Sequence, residues 1–279
     1  MGTPPYACVG ALKSMPFKSH TAFQAFAAEI GRQRRYHPSA DTTDFFAALL
    51  ETCQHRNHVI KQGEHFYRSR IGHAGLYPPE IDRPWPVLQP HPPSEMKPLS
   101  DSAAEGRVNS KGIPVLYLAT EAETAIMEVR PWLSSYITLG EFIIERDLRI
   151  IDCTHTGQWE WLMPDYDSPS PENFSKRIWN EIDLAFSEPT LREDDVASYA
   201  VTQSLAEFFR VNGFDGIRYV SKFGTDGLNV ALFDLNAATC VKTDLVRLKT
   251  LKGTWDLIRR VDMGRIDIDA ETERPTTIG

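Results

Sequence analysis

Arg107, Tyr117 and Glu128 fall within one continuous stretch, Gly106 to Glu128, which reads GRVNSKGIPVLYLATEAETAIME. A guanidinium, a phenol ring and a carboxylate on one compact loop, strand and helix equip a site that holds an anion and works on a sugar. Glu128 falls beside an apolar helix face, where an unpaired carboxylate is costly, so it must either pair with a cation or face a cleft. Two cations are available to it, Arg107 and Arg68. Arg68 lies in the run His65-Phe66-Tyr67-Arg68-Ser69-Arg70, whose alternation puts Phe66, Arg68 and Arg70 on one side of a strand and Tyr67 and Ser69 on the other. Guanidinium forks match phosphate oxygens in a bidentate way, so paired arginines beside a carboxylate suit a pyrophosphate-bearing substrate. The competing reading of the same charges is a structural ion-pair network.

The elements that would position these residues are legible around them. Gly106 and Gly112 bracket the turn-prone Asn109-Ser110-Lys111, and Pro114 leads into the apolar run Val115-Leu116-Tyr117-Leu118-Ala119, a buried strand. Thr120 with Glu123 reads as a capping box, and Ala122, Ala125, Ile126 and Val129 recur at helical spacing. Further on, Ser135 to Glu145 and Leu148 to Asp152 read as strands, Phe174 to Phe186 and Val196 to Arg210 as helices, and Gly216 to Val220 and Asn229 to Leu235 as a strand pair. Ser221 sits at the mouth of the loop between those last two strands. On its own pattern it is a site residue or a turn former.

These blocks, in this order, resemble the RES domain family. The resemblance is carried by Tyr67-Arg68 in a strand, the glycine-arginine-x-asparagine-x-x-glycine block from Gly106 to Gly112, Tyr117, Glu128, Gln203 to Glu207, Asn212 to Ser221, and Asn229 to Phe233, and it spans about Phe66 to Asp234. Val108 stands where the family usually has a tryptophan. The resemblance implies an α+β fold like that of ADP-ribosyltransferases, with a split, strongly twisted sheet and flanking helices. It also implies an NAD-consuming toxin held in check by a helix-turn-helix antitoxin. Carried over residue by residue, Glu128 would stabilise the oxocarbenium-like state as the nicotinamide–ribose bond breaks, and Arg68 and Arg107 would bind the diphosphate. Tyr67 and Tyr117 would stack on or wall the nicotinamide, and Ser221 would hydrogen-bond ribose or phosphate. The acceptor is left open among water, phosphate and a macromolecule, and an inactive partner-binding derivative stays as an alternative.

Composition narrows the classes further. The 279 residues carry a net charge of -8, with 42% hydrophobic and 24% charged residues, ordinary for a globular protein and contrary to broad nucleic-acid binding. Cys8, Cys53, Cys153 and Cys240 have no paired spacing, which fits a reducing cytoplasm better than a disulfide framework or a zinc site. His55 and His58 are spaced like a ligand pair, but no carboxylate or cysteine stands at a convincing distance, so no metal is expected. No apolar run is long enough for a membrane helix, and the opening MGTPPYACVG has no secretory pattern.

The expected organisation has three parts. Residues 1–62 form an N-terminal helical extension, with one amphipathic helix in Thr21 to Arg35 and another, through Phe46, Leu49, Leu50 and Cys53, in Thr43 to His55. Their apolar stripes pack on the core, or else meet an antitoxin or a second subunit in a homo-oligomer. Residues 63–240 form the catalytic domain, interrupted by a proline-rich insert at 72–105 that is either a lid carrying Tyr77 or Trp85 against the substrate or a surface insert. Residues 241–279 are a C-terminal extension, with Lys242 to Val261 as a closing helix or strand and Asp262 to Gly279 as a polar tail.

Overall fold

The two N-terminal apolar stripes become helices because each presents aromatic and aliphatic side chains one helical turn apart. In the computed structural model, which describes residues 17–76, 87–99, 102–154, 170–188, 199–223 and 227–251, α1 (Ala22–Arg32) buries Phe23, Phe26 and Ile30. α2 (Ala40–Cys53) begins at Ser39, whose hydroxyl accepts the Thr42 N–H, and buries Phe45, Ala48, Leu49 and Cys53. Its apolar face is turned from the one expected. Phe45 stacks on Phe26 with centroids 4.6 Å apart and Phe46 stacks on Phe208 at the same distance, while Leu50 is exposed.

The strands and later helices follow as β1 (Asn57–Ile60), β2 (His65–Ile71), β3 (Ala74–Leu76), β4 (Val87–Gln89), β5 (Leu116–Ala119), α3 (Ala122–Glu128), β6 (Tyr136–Ile144), β7 (Leu148–Asp152), α4 (Pro171–Ser187), α5 (Ala200–Val211), β8 (Gly216–Val220), β9 (Leu228–Leu232) and β10 (Ala238–Arg247). Eight strands form one sheet in the order β1-β7-β8-β9-β5-β2-β6-β10, and β3 pairs with β4 in a separate ribbon. All pairings are antiparallel except β7 with β8, so this is a mixed α/β chain with a large mixed sheet and several helices. β10 runs across residue 240 and pairs with β6 as far as Arg247, so the sheet continues beyond the boundary expected there.

Alternation along the strands separates two cores. Ala231, Tyr117 and Ile151 belong to or border a first core; Val230 and Leu232, Leu116 and Leu118, and Leu148 and Ile150 point into a second. The first core, with Trp179, Phe186 and Phe209, joins α1, α2, α4 and α5 to the sheet, so the N-terminal helices are part of the main hydrophobic body. The second runs from Ile60 of β1 to Ala238 of β10, and the sheet is strongly curled, because the short link from Ile144 at the end of β6 to Leu148 at the start of β7 must join two strands that stand far apart in the sheet order.

The two halves of the sheet are joined between β2 and β5 by the single pair Tyr67–Ala119, whereas β2 pairs with β6 over its whole length. Beyond that pair the sheet is split. Among the proline-rich residues, Met96 is buried in the second core, and the His91 N–H donates to Thr138 of β6 at 3.0 Å. The described residues 87–99 therefore cover that face of the sheet and do not line the cavity described below. Tyr77, Trp85, Cys8, Gly224 and the tail Asp262 to Gly279 lie outside the described residues. Among the described residues, no helix is long and apolar enough to cross a membrane.

Candidate active site

Where β2 and β5 part, a cavity of about 300 Å³ opens. Its walls carry Tyr67, Arg68 and Ser69 from β2, Gly106 and Arg107 from the preceding loop, Tyr117 from β5 and Glu128 from α3. Arg130, Tyr199, Tyr219, Lys222 and Asn229 complete them. Four cations thus surround one carboxylate in a chain whose net charge is -8. That local reversal of sign suits a ligand with more than one negative charge.

Glu128 is the last residue of α3, and α3 begins after Glu121, not at Thr120. The Thr120 hydroxyl accepts the Leu228 N–H at 3.0 Å and its own N–H donates to the Leu228 carbonyl, so it extends the β5–β9 ladder instead of capping the helix. Glu128 is held by residues distant in the chain. The Ser221 hydroxyl and the Asn229 amide each lie 2.6 Å from Oε1. Neither bond occupies Oε2. Ser221 also lies 2.9 Å from the Phe223 carbonyl, but it has one proton, and the nearer carboxylate is the stronger acceptor. Its hydroxyl, expected to meet ribose or phosphate, is thus engaged by Glu128.

Arg68 retains donor capacity toward the cavity. Its Nη1 donates to the Tyr117 carbonyl at 3.0 Å, bridging the gap where the ladder has stopped, and no carboxylate lies within ion-pair distance of it among the described residues. Burial pushes its pKa below the usual arginine value, countered by Tyr117 and reinforced by Arg70. Arg70 does not join the site, because its guanidinium is paired with Glu95 at 3.2 Å. Arg107 lines the cavity but donates to the carbonyls of Phe186 and Glu188, closing the C-terminal end of α4. A large part of its donor capacity is therefore structural.

Tyr117 combines a wall and a clamp. Its hydroxyl donates to Asn109 Oδ1 at 2.7 Å and accepts the Val108 N–H at 3.0 Å, and burial raises its pKa well above the ordinary tyrosine value. A Cβ on Gly106 would lie 2.6 Å from that hydroxyl, so glycine is required there. Gln203 of α5 seals the same loop, donating to the carbonyls of Gly106 and Asn109 at 2.9 and 3.0 Å. Val108, in the family's tryptophan position, is 3% exposed in the first core, so the departure falls on packing.

Sequence reasoning missed Arg130, Lys222, Tyr199, Tyr219 and the part played by Asn229. Arg130 has φ of 47° and Ser134 φ of 68°, both left-handed for non-glycine residues, and the Arg130 guanidinium lies 5.0 Å over the Phe223 ring. Asn229 and Tyr219 carried a signal, through their places in the blocks Asn229 to Phe233 and Asn212 to Ser221. The histidines considered as metal ligands belong elsewhere. His58 Nε2 lies 3.1 Å from Arg218 Nη1, in a cluster with Asp152.

The RES domain family model matches residues 83–256, well over half of the chain, and the protein belongs to that family. The match starts after β2, so Tyr67 and Arg68 enter the site on geometry. A solved structure, the crystal structure of the M. tuberculosis MbcT-MbcA toxin-antitoxin complex, is similar at 17% sequence identity with a TM-score of 0.38, over 72% of this chain and 92% of that chain. No curated protein matches.

Proposed function

We propose that the cavity binds NAD and that the protein cleaves its nicotinamide–ribose bond, as an ADP-ribosyltransferase-like toxin enzyme. The observation that carries this reading is the arrangement around Glu128, a carboxylate anchored through one oxygen by two neutral donors and set in a wall whose other charged groups are cations. Neutral anchors leave the negative charge uncancelled, which is what a developing oxocarbenium ion requires. As the bond lengthens, neutral nicotinamide departs with the bonding pair and Glu128 stabilises the positive ribose. Water then adds to the sugar carbon, giving ADP-ribose and a proton, or phosphate adds to give a phosphorylated ADP-ribose. Arg68 takes the diphosphate, and Tyr67 and the Tyr117 ring wall the nicotinamide.

A volume near 300 Å³ stands at the small end of ligand pockets, roughly 300–1,000 Å³. It accommodates the nicotinamide riboside and diphosphate, with the adenosine end at the open rim. The split at Tyr67–Ala119 supports the ADP-ribosyltransferase-like description of the sheet. In this reading residues 1–62 buttress the unit as a helical extension, and the partner we assign to it is a helix-turn-helix antitoxin. Transfer of ADP-ribose to a protein is a second reading, favoured by Trp132 and Leu133, which are 75% and 58% exposed shortly after Glu128.

NAD turnover by the purified protein, with and without phosphate and with product identification, tests the proposal. Glu128-dependent release of nicotinamide supports it, and the sugar product names the acceptor. Intact NAD under both conditions and with cell extract added would sink it.

A further inference from the structure

Trp132 and Leu133 are 75% and 58% exposed, and they follow Arg130 of the cavity wall by two and three residues. So short a length of chain spans at most about 10 Å, which sets both side chains by the cavity mouth. Their loop is held in place. Arg130 and Ser134 have left-handed φ of 47° and 68°, a conformation that costs free energy in a residue with a Cβ and persists only where the surroundings impose it. Here they do. Pro131 is buried, and the Arg130 N–H donates to the Met127 carbonyl at 2.9 Å. The Ser134 N–H donates to the Leu248 carbonyl at 3.0 Å, and the Leu248 N–H donates to the Ser135 carbonyl at 3.1 Å. The loop is thus tied to the end of α3 and to the chain just beyond β10, and the two apolar side chains between those ties are turned to solvent.

The cations at this end of the sheet set what such a surface would attract. Arg130 lines the cavity, Arg247 lies 5.6 Å over the Tyr136 ring, a contact that leaves its charge in place, and Lys249 is exposed just past the tie at Leu248. In a chain of net charge -8 the acid is carried elsewhere, so an acidic polypeptide is repelled by the bulk of the molecule and steered here. A second copy of the chain fits poorly, since two-fold pairing of this surface would set each cationic rim against itself. Tryptophan and arginine are enriched among the residues that carry binding energy, and a loop already fixed loses little freedom on binding.

We propose that Trp132 and Leu133, rimmed by Arg130, Arg247 and Lys249, form a docking surface for an acidic segment of a partner protein that carries aromatic or aliphatic anchors. This deepens the transfer reading, in which that segment is the acceptor brought to the cavity, and it rests on that reading for the role of the contact, not for the contact itself.

The test is fluorescence anisotropy with three labelled polymers, a random glutamate–tyrosine copolymer, a lysine–tyrosine copolymer and polyglutamate, against the wild type and a Trp132→Ser, Leu133→Ser double variant. The wild type should bind the glutamate–tyrosine copolymer at least about tenfold more tightly than either of the others, and the double variant should lose about that factor, the weight of one anchor residue. Nicotinamide release from NAD alone should stay within about twofold and the melting temperature should not fall, because neither side chain lines the cavity or is buried. Lys249→Glu should weaken the same binding and reduce its salt dependence. Equal binding of the acidic and basic copolymers, or undiminished binding by the double variant, would overturn the assignment. So would a wild type that doubles its mass in light scattering through Trp132 and Leu133, which would give the surface to a second copy. Copolymer binding at this surface without NAD consumption would leave the surface standing and refute the proposed reaction; nicotinamide release without copolymer binding would do the reverse.

Discussion

Glu128 and Asp152 are two carboxylates at the ends of elements in one sheet-based fold, and they are treated in opposite ways. Asp152, at the end of β7, forms an ion pair with Arg218 of the adjoining β8, with the two side chains 22% and 21% exposed. Its other oxygen accepts the Thr154 N–H at 3.0 Å and the Thr154 hydroxyl at 2.6 Å. Burial by itself would raise its pKa, but the bonds from Arg218 and Thr154 outweigh that and lower it. Glu128 shares its cavity with Arg68, Arg107, Arg130 and Lys222, yet its two described partners are a neutral hydroxyl and a neutral amide. A paired charge contributes to structure, whereas a charge that is oriented but not cancelled is available to a substrate.

Removing the charge of Glu128 gives the largest expected effect. Glu128→Gln retains an acceptor oxygen for Ser221 and Asn229, so the cavity wall should survive while the negative charge disappears. NAD turnover should fall on the order of a hundredfold or more, with little change in melting temperature. A comparable drop in melting temperature would place Glu128 with Asp152 as a structural carboxylate.

Arg218→Ala is the reciprocal break. It leaves Asp152 without its guanidinium in a mostly buried setting and should destabilise the fold by about 2 kcal/mol, read by denaturant unfolding. NAD turnover at a temperature well below the transition should stay within about twofold, because Arg218 does not line the cavity. Loss of turnover in a folded Arg218→Ala protein would mean that the two carboxylate clusters are coupled.

The difference between these two clusters was only partly legible in the sequence. The local unit was readable: a glycine-bounded turn, an apolar run and a helical stripe gave the loop, β5 and α3 nearly residue for residue, because each depends on neighbours in the chain. The RES resemblance then brought Glu128, Arg68 and Tyr117 to one cavity. What stayed hidden was how each polar group is used. Arg107 bonds main-chain carbonyls 79 and 81 residues away, and any residue type supplies a carbonyl, so no side chain marks the contact. Ser221 and Asn229 reach Glu128 across 93 and 101 residues. The Thr120 cap failed for the same reason, since a strand partner distant in sequence took the hydroxyl that local pattern assigned to the helix.

Asn229→Ala sharpens the comparison from the neutral side. With one of its two anchors gone, the carboxylate keeps its charge and loses its fixed direction. The expected result is a fall in kcat of about tenfold with KM for NAD within about twofold, because the positioning counts in the transition state more than in substrate binding. Asn229→Asp should be worse, setting a second negative charge against Glu128. Equal changes in kcat and KM, or an inactive but equally stable Asn229→Ala protein that no longer binds ADP-ribose, would argue that the amide touches substrate directly.

The smallest effect is the pH response of the structural cluster. His58 accepts a hydrogen bond from Arg218, and burial, followed by the charge of Arg218, lowers its pKa below the ordinary histidine value, opposed by Asp152 and Glu64. The folded state therefore holds the neutral imidazole more strongly than the unfolded chain does. Its contribution to stability is present above about pH 6.5, the ordinary value, and is lost as pH falls through the folded-state value. Asp152, whose pKa is also lowered, adds a second loss further into acid, beginning below about pH 4. Melting temperature should therefore decline gently from pH 7 toward pH 5 in the wild type, and His58→Gln, which cannot titrate, should flatten that slope while leaving the drop below pH 4 in place. A slope unchanged in His58→Gln would assign the pH response to other groups and leave Asp152 and Arg218 as a pair that does not depend on the imidazole.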